Sequence, residues 1–151
     1  MTRWQRFTGQ ALVAAQFALL GVWLVAGPRI AIGIVGQSVQ AVGLAVALWA
    51  FAVMSIAQGH LFRIAPDPSG HSRLVTWGPY RWVRHPMYLS ILLVVGPSWL
   101  VDGVTWRAGA FAALAVVLVA KLTFEEHLLV RYFTGYAAYR TRSARLVPGV
   151  F

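Results

Sequence analysis

Charged residues are scarce in this 151-residue chain, and cysteine is absent altogether. Only 11% of the residues are charged and 59% are hydrophobic, whereas a soluble domain has about 25% charged and about 45–50% apolar residues. So few charges cannot cover a water-facing surface, and they also exclude a disordered chain. The lack of cysteine excludes disulfides, thiolate metal sites and a cysteine nucleophile. The class that remains is a small integral membrane protein.

Acidic residues are the rarest charged type. Four Asp and Glu stand against thirteen Lys and Arg, which gives a net charge of +9. A basic balance of this size can indicate a nucleic-acid partner. The charges instead form short clusters between long uncharged stretches, as they do beside membrane spans. We therefore expect membrane lipids around the protein and no nucleic-acid partner.

Four uncharged stretches are long enough, or nearly long enough, to cross a bilayer as helices. They are residues 7–27, 30–59, 86–101 and 108–120. The last two are short and are separated by Asp102-Gly103, a turn signal that predicts a helical hairpin. The basic start before the first stretch also resembles a signal peptide, but the long run without a clear cleavage site favours an uncleaved span. The predicted fold is an all-α integral membrane protein with about four transmembrane helices and a cytoplasmic C-terminal helical segment.

The distribution of Lys and Arg predicts the orientation in the membrane. With four spans, both chain ends and the loop 60–85 share one side. That side carries eleven of the thirteen Lys and Arg, because only Arg29 and Arg107 fall on the other. Positive residues concentrate on the cytoplasmic side, so both termini are predicted to be cytoplasmic, at the inner membrane if the cell is bacterial. All four His and most acids also lie on this side, and we look for the functional site there.

The densest polar stretch of that side is residues 72–90, SRLVTWGPYRWVRHPMYLS. Pro86 suits the first turn of a helix. The N–H groups that open this helix favour an anion beside Arg84 and His85, while Tyr88 supplies a ring face and a hydroxyl. The alternative, which involves no ligand, is an interfacial belt of Arg, Trp and Tyr that anchors the helix to lipid headgroups.

The only two Glu residues, Glu125 and Glu126, are adjacent just beyond the fourth stretch. Two carboxylates so near lipid are costly unless they have cationic partners. Lys121 lies one helical turn before Glu125, so the structural interpretation is an ion pair on one helix face. The other candidate partners are Arg84, His85 or a cationic ligand, and these would place the two Glu in a binding site.

The order of these motifs resembles a known superfamily. Leu-Val-Thr-x-Gly-Pro-Tyr at 74–80, Arg-His-Pro-x-Tyr at 84–88, Glu-Glu after a hairpin, the aromatic stretch 132–140 and Leu-Val-Pro at 146–148 together resemble the isoprenylcysteine carboxyl methyltransferase and phospholipid methyltransferase superfamily. The resemblance covers roughly residues 72–148. It implies a small membrane enzyme that transfers a methyl group from S-adenosylmethionine (SAM) to a lipophilic acceptor at the cytoplasmic face. The chain would be one methyltransferase-like domain, 1–151, with two spans in 1–59 and the SAM-binding loop, hairpin and C-terminal segment in 60–151.

The resemblance also implies site residues. Lys121 would lie on the substrate side, where the superfamily often has Arg. Because Lys lacks the bidentate fork of Arg, a prenylcysteine carboxylate is in doubt as the acceptor. Ser72 stands where His is common, and Ser90 where Gly is common. No residue is identified as a catalytic base, and no metal is expected. The implied cofactor-binding set is Ser72, Arg73, Leu74, Val75, Tyr80, Arg84, His85, Pro86, Met87, Tyr88, Glu125 and Glu126.

Two other functions stay open on the sequence. One is an NADPH-dependent lipid or sterol reductase on a related membrane fold, whose similar motif usually has Asn where Met87 stands and an acidic residue soon after Tyr88. The other is a non-enzymatic membrane subunit or transporter, which would need polar residues inside the spans, and these hold only Gln, Ser and Thr. The four His are too dispersed for a histidine-box metal enzyme. The acceptor also stays open: a phospholipid amine, a prenylated thiol or acid, or a small hydrophobic thiol.

Overall fold

The computed structural model describes residues 3–26, 30–58, 74–100 and 104–149. The long α-helices in these ranges are α1 (Arg3–Ala26), α2 (Ile34–Gln58), α3 (Pro86–Leu100) and α4 (Thr105–Tyr132). A 3-10 turn, Gly78–Arg81, precedes α3, and a short helix α5 (Tyr136–Arg140) follows α4. The described ranges contain no β-strand, and one isolated bridge joins Val83 to Ala144. The predicted all-α class is confirmed.

Three of these helices, α1, α2 and α4, are long and apolar enough to cross a membrane, and α3 is a shorter apolar helix. The bounds of α1, α2 and α3 lie close to those expected from the uncharged stretches. The helix α4 is longer than the stretch 108–120 predicted, because it continues through the two Glu residues to Tyr132. Charged residues do not end a helix, and no Gly or Pro occurs between Gly109 and Gly135.

The four helices pack antiparallel to their main neighbours. Lys121 of α4 contacts Gln16 in the middle of α1, and Arg107 near the start of α4 donates to the carbonyl of Ala26 at the end of α1. The helices α2 and α3 pack most extensively against each other. As a result α1 begins, α2 ends, α3 begins and α4 ends at one end of the bundle, which we call the site end.

A glycine lets α2 approach α3 closely. A Cβ atom on Gly43 would lie 2.8 Å from the Cβ of Leu93 and 3.1 Å from the backbone nitrogen of Val94. One turn earlier, the Gln40 amide donates to the Val94 carbonyl at 2.8 Å and accepts from the Ala31 N–H at 2.8 Å. Backbone polar groups in lipid need partners within the protein, so Gln40 stabilises this contact between the two helices.

Two apolar clusters position the site end. The first lies between α3 and α4, and Trp23 of α1 reaches it and donates to the Ser98 hydroxyl at 3.0 Å. The second holds the loop before α3 against the end of α2. The buried members of the first are Tyr88, Val95, Trp99, Leu114, Leu118, Leu122 and Leu146, and those of the second are Ala50, Val53, Val75 and Tyr80.

Some predicted features lie outside the described residues. These are Ser72 and Arg73 of the implied cofactor set, the turn Asp102-Gly103, and the part of the predicted cytoplasmic loop from 60 to 73.

Candidate cofactor site

The start of α3 is anchored by the C-terminal segment. The backbone N–H of Arg84 donates to the Ala144 carbonyl at 2.8 Å, and that of His85 donates to the Arg145 carbonyl at 3.1 Å. Pro86 then opens α3, where its missing N–H costs no intrahelical bond. The start of the motif Arg-His-Pro-x-Tyr is therefore held at the site end by backbone hydrogen bonds to the C-terminal segment.

Tyr88 and Glu125 form the central contact of the site. The Tyr88 hydroxyl donates to the Glu125 carboxylate, whose two oxygens lie 2.6 and 2.7 Å away. The His85 ring stacks on the Tyr88 ring with a centroid distance of 5.4 Å and an interplanar angle of 2°. Its Nδ1 lies 3.9 Å from Glu125. His85 and Tyr88 are three residues apart, so the first turn of α3 turns both toward α4.

Glu126 faces a different set of partners. One carboxylate oxygen accepts a hydrogen bond from Arg84 Nε at 2.6 Å, and the other accepts one from Arg145 Nε at 3.0 Å. Arg140 Nε lies 3.9 Å away. Arg84 also donates through Nη1 to the carbonyls of Arg140 and Ser143. A buried carboxylate is stable when it is paired and hydrogen-bonded in this way, and Glu126 thereby ties α4 to the C-terminal segment.

The two adjacent carboxylates differ in what can reach them. The Glu126 side chain is 2% exposed, while that of Glu125 is 15% exposed. The ion pair expected between Lys121 and Glu125 is not the main contact of either residue. Lys121 instead donates to the Gln16 amide oxygen at 2.9 Å, and its ammonium lies 5.0 Å from the Tyr88 ring centroid. Glu125 is thus the carboxylate that a ligand can approach.

Tyrosines line the C-terminal side of the site end: Tyr80 and Tyr136 are buried and Tyr139 is half-buried. The Tyr139 hydroxyl donates to the Tyr80 carbonyl at 2.5 Å, and burial raises the pKa of Tyr139 to about 12. Burial also raises the pKa of Tyr136, and the negative charge of Glu126 adds to this effect. Both hydroxyls therefore stay protonated at neutral pH. Within the described part of the chain, the Tyr136 hydroxyl and His85 Nε2 are buried atoms without a hydrogen-bond partner, and the latter lies 3.5 Å from a Glu126 oxygen.

The structure brings together about half of the implied cofactor set. Met87 touches both apolar clusters, and the Ser90 hydroxyl donates to its carbonyl at 2.7 Å. Leu74 is half-buried and lies next to Gly135. Val75 and Tyr80 lie against α2 in the second cluster. The residues that meet at the site end are Arg84, His85, Pro86, Tyr88, Glu125 and Glu126, with Lys121 beside them.

Three residues that contact the site residues were not predicted from the sequence. Gln16 is one of several polar residues in the uncharged stretch 7–27, and nothing in the sequence distinguishes it from the others, although a polar side chain in a span is itself a signal of function. In the sequence, Arg145 is only one of the positive charges on the predicted cytoplasmic side. Tyr136 belonged to an aromatic stretch whose individual members had no assigned role.

Comparison with known proteins decides the family. A family model described as phospholipid methyltransferase matches residues 31–135, which is more than half of the chain. The chain belongs to the phospholipid methyltransferase family. The matched region contains α2, α3 and α4. It includes the site residues at the start of α3 and the two Glu residues of α4. Membership confirms the predicted superfamily and makes the protein a member of a class of membrane methyltransferases.

Curated relatives match a shorter region. The nickel-cobalt-cadmium resistance protein NccN of Alcaligenes xylosoxydans xylosoxydans is 33% identical over 78 residues, which is 51% of this chain and 37% of that protein. The cobalt-zinc-cadmium resistance protein CzcN of Cupriavidus metallidurans is 30% identical over 79 residues, which is 52% of this chain and 37% of that protein. The chain thus spans little more than a third of the length of these relatives. No solved structure matches the chain significantly. The described ranges contain no group of three or more His, Cys, Asp or Glu arranged to hold a metal ion.

Proposed function

We propose that this protein transfers a methyl group from SAM to a lipophilic acceptor at the cytoplasmic face of the membrane. The observation that carries the proposal is the contact of His85 and Tyr88 with Glu125. Tyr88 and Glu125 are 37 positions apart in the sequence, yet they meet at the site end. Membership of the phospholipid methyltransferase family supports methyl transfer as the reaction.

The groups at the site end suit the cofactor. SAM carries a positive sulfonium and ammonium, a negative carboxylate and an adenosine. Glu125 is the more accessible of the two carboxylates, with 15% of its side chain exposed, and would bind the ammonium or the ribose hydroxyls. The Tyr136 hydroxyl is buried and lacks a hydrogen-bond partner among the described residues, although buried polar atoms normally have one. His85 Nε2 lies 3.5 Å from a Glu126 oxygen. Leu74, half-buried beside Gly135, offers an apolar surface for the adenine.

Glu126 and Arg84 act as positioning residues in this proposal. Their buried ion pair holds α4 against the loop that carries His85. Arg84 also donates to two carbonyls of the C-terminal segment, so it ties this segment to the same loop. Bound SAM supplies a methyl group that is already activated. The residues of the chain therefore need only to bind SAM, to align the acceptor with its methyl group and to exclude water. No covalent nucleophile is required, which agrees with the absence of cysteine.

The cytoplasmic location of the site rests on charge. Among the described residues, Arg107 lies at the opposite end of the bundle, near the start of α4. The other basic residues of the described ranges lie toward the site end. They are Arg3, Arg6, Arg81, Arg84, Lys121, Arg131, Arg140, Arg142 and Arg145. Because positive residues favour the cytoplasmic side of a membrane, we infer that the site end faces the cytoplasm.

Cofactor binding by the purified protein tests the proposal. Calorimetric titration should show that SAM binds and that NADPH, the cofactor of the rival reductase function, does not. His85→Ala should weaken SAM binding about tenfold, which is about 1.4 kcal/mol, because a hydrogen bond to the cofactor is lost. His127→Ala, at an exposed position in the last third of α4, is the matched control. Binding of NADPH alone, or SAM affinity that His85→Ala leaves unchanged, would contradict the proposal.

A further inference from the structure

A cleft opens at the site end, and the proposed function assigns no ligand to it. Its volume is about 570 Å³, and ligand pockets typically have about 300–1,000 Å³. It adjoins the proposed cofactor site at Gly135, beside Leu74, but none of the described side chains that bond to Glu125 or Glu126 lines it. The lining residues are Thr76, Arg81, Gly135, Ala138, Tyr139 and Arg142.

The walls of the cleft come from two distant parts of the chain. Thr76 and Arg81 belong to the loop before α3, where Arg81 is the last residue of the 3-10 turn. Tyr139 belongs to α5, and Arg142 follows that helix. The Tyr139 hydroxyl donates to the carbonyl of Tyr80, 59 positions away, and so joins the two walls. The cleft therefore lies between the loop and α5.

The two arginines of the cleft carry charges that the protein does not compensate. Both side chains are exposed, and among the described residues neither guanidinium has a carboxylate within ion-pair distance. The carboxylates of Glu125 and Glu126 have other partners, namely His85, Arg84, Arg140 and Arg145. None of the described lining residues is acidic. The cleft thus offers positive charge and N–H donors to an anion, and no counter-charge to a cation.

The donor set fits a phosphate group. A guanidinium presents a planar fork of N–H groups that binds two phosphate oxygens at once. Arg81 and Arg142 supply such a fork from each wall, and the exposed Thr76 hydroxyl adds a single O–H donor. A phosphate has enough oxygens to accept from both walls together.

The surroundings of the cleft place it at the level of lipid headgroups. Trp77 and Trp82 flank the 3-10 turn and are 47% and 55% exposed. Exposed Trp side chains of membrane proteins concentrate at the boundary between hydrocarbon and water. Trp82 also packs on Trp49 of the membrane-crossing helix α2, with ring centroids 5.8 Å apart. Arg81, between these two Trp residues of the turn, is therefore within reach of the phosphates of surrounding lipids.

We propose that this cleft binds the phosphate of an anionic phospholipid, with Arg81 and Arg142 as its main contacts. The described lining residues offer no carboxylate to the ammonium of a zwitterionic headgroup, so phosphatidylglycerol is favoured over phosphatidylcholine. The site is distinct from the positions proposed for SAM and the methyl acceptor. The proposal does not depend on methyl transfer.

A lipid in the cleft would link the two walls. Its phosphate would hold α5 to the loop before α3, in addition to the hydrogen bond from Tyr139. The same two parts of the chain are joined on their other side by Arg84, which donates to the carbonyl of Arg140 at the end of α5. A ligand that binds only the folded protein stabilises it, so anionic lipid should raise the melting temperature.

Calorimetric titration of the whole protein in uncharged detergent, without SAM, tests the site. The ligands are dioctanoyl phosphatidylglycerol, dioctanoyl phosphatidylcholine and glycerol 3-phosphate. The wild type should bind the anionic lipid at least about tenfold more tightly than the other two, as expected when one charged hydrogen bond distinguishes them. Equal affinity for the two lipids overturns the proposal. Glycerol 3-phosphate that binds as tightly as phosphatidylglycerol overturns the assignment to a lipid.

Variants separate a built site from general attraction to positive charge. Arg81→Gln and Arg142→Gln should each weaken phosphatidylglycerol binding about tenfold, and Arg131→Gln, an exposed residue of α4 outside the cleft, should not. Arg142→Lys keeps the charge but loses the fork, so it should also weaken binding. Wild-type affinity in Arg142→Lys together with Arg142→Gln, or an equal loss in Arg131→Gln, overturns the proposal.

Two further measurements check fold and overlap with the cofactor. Because Arg81 and Arg142 have no side-chain partner among the described residues, both Gln variants should melt as the wild type does without lipid. Phosphatidylglycerol should raise the melting temperature of the wild type more than that of either variant. Both variants should keep the wild-type affinity for SAM, and SAM should not displace the lipid. Competition between SAM and the lipid would assign the cleft to the cofactor and overturn the proposal.

Discussion

Replacing each of the two adjacent Glu residues by Gln should affect a different property of the protein. Glu125→Gln should weaken cofactor binding, and Glu126→Gln should lower stability. Glu125→Gln removes the charge of the carboxylate that a ligand can approach, and the amide oxygen can still accept the hydrogen bond from Tyr88. A hydrogen bond that involves a charged group contributes about 1.5–3 kcal/mol, and every 1.4 kcal/mol is about a factor of ten in Kd. We expect the Kd for SAM to rise about tenfold or more, with little change in the melting temperature of the cofactor-free protein.

Glu126→Gln should instead destabilise the protein. Its carboxylate is the shared partner of Arg84 and Arg145, whose side chains are 7% and 24% exposed. Removal of one partner from a buried ion pair typically costs about 3–5 kcal/mol, because the remaining charge stays buried without compensation. A native protein has a total stability of about 5–15 kcal/mol, so the melting temperature without cofactor should fall clearly.

Calorimetric SAM titration and thermal unfolding of both variants in the same detergent decide between these outcomes. His127→Gln, at the exposed position next to the two Glu residues, controls for a general effect of substitution at this end of α4. Wild-type SAM affinity in Glu125→Gln would refute its place in the cofactor site. An unchanged melting temperature in Glu126→Gln would refute the stabilising role of its ion cluster.

Three further expectations follow from the fold. Tyr88→Phe removes the donor that orients Glu125 and should raise the Kd for SAM by about two- to tenfold in a titration, as expected for one lost hydrogen bond; an unchanged Kd would contradict this. Gly43→Leu should lower the melting temperature, because its Cβ would lie 2.8 Å from Leu93 and overpacking costs about 1–3 kcal/mol. Gly21→Ala, with nothing within 4 Å of the added Cβ, should melt as the wild type does. Reporter domains fused to either end of the chain should both report the cytoplasm, and a signal from the outer side at either end would disprove the proposed topology.

The helices were predictable because hydropathy is a local property of the sequence. Uncharged stretches gave α1, α2 and α3 nearly to their ends, and Pro86 marked the start of α3 directly. The end of α4 was not predictable in the same way. Loss of hydrophobicity after residue 120 indicates where the chain can leave lipid, but it does not break a helix, and α4 continues to Tyr132.

The site was predictable only in part. The hairpin required the two Glu residues to return to the end where α3 begins, so a contact with His85 or Arg84 was expected. Which Glu makes which contact depends on the rotation of α4, since adjacent residues on a helix point about 100° apart. Glu125 turns to Tyr88 and Glu126 to Arg84. The contact between Gln16 and Lys121 had no signal in the sequence, because no periodicity connects positions 105 residues apart.

The anchoring of α3 by the C-terminal segment has a consequence for biosynthesis. A chain is made from its N-terminus at about 5–20 residues per second, so all four long helices are synthesised before Arg145 and the carbonyl of Ala144 exist. Until that segment arrives, Glu126 has only Arg84 of its two hydrogen-bonded cations, and the N–H groups before Pro86 have no carbonyls to bind. A nascent chain can thus have all four long helices made while the contacts around Glu126 and the start of α3 are still incomplete. These contacts form only after residues 144 and 145 have been synthesised.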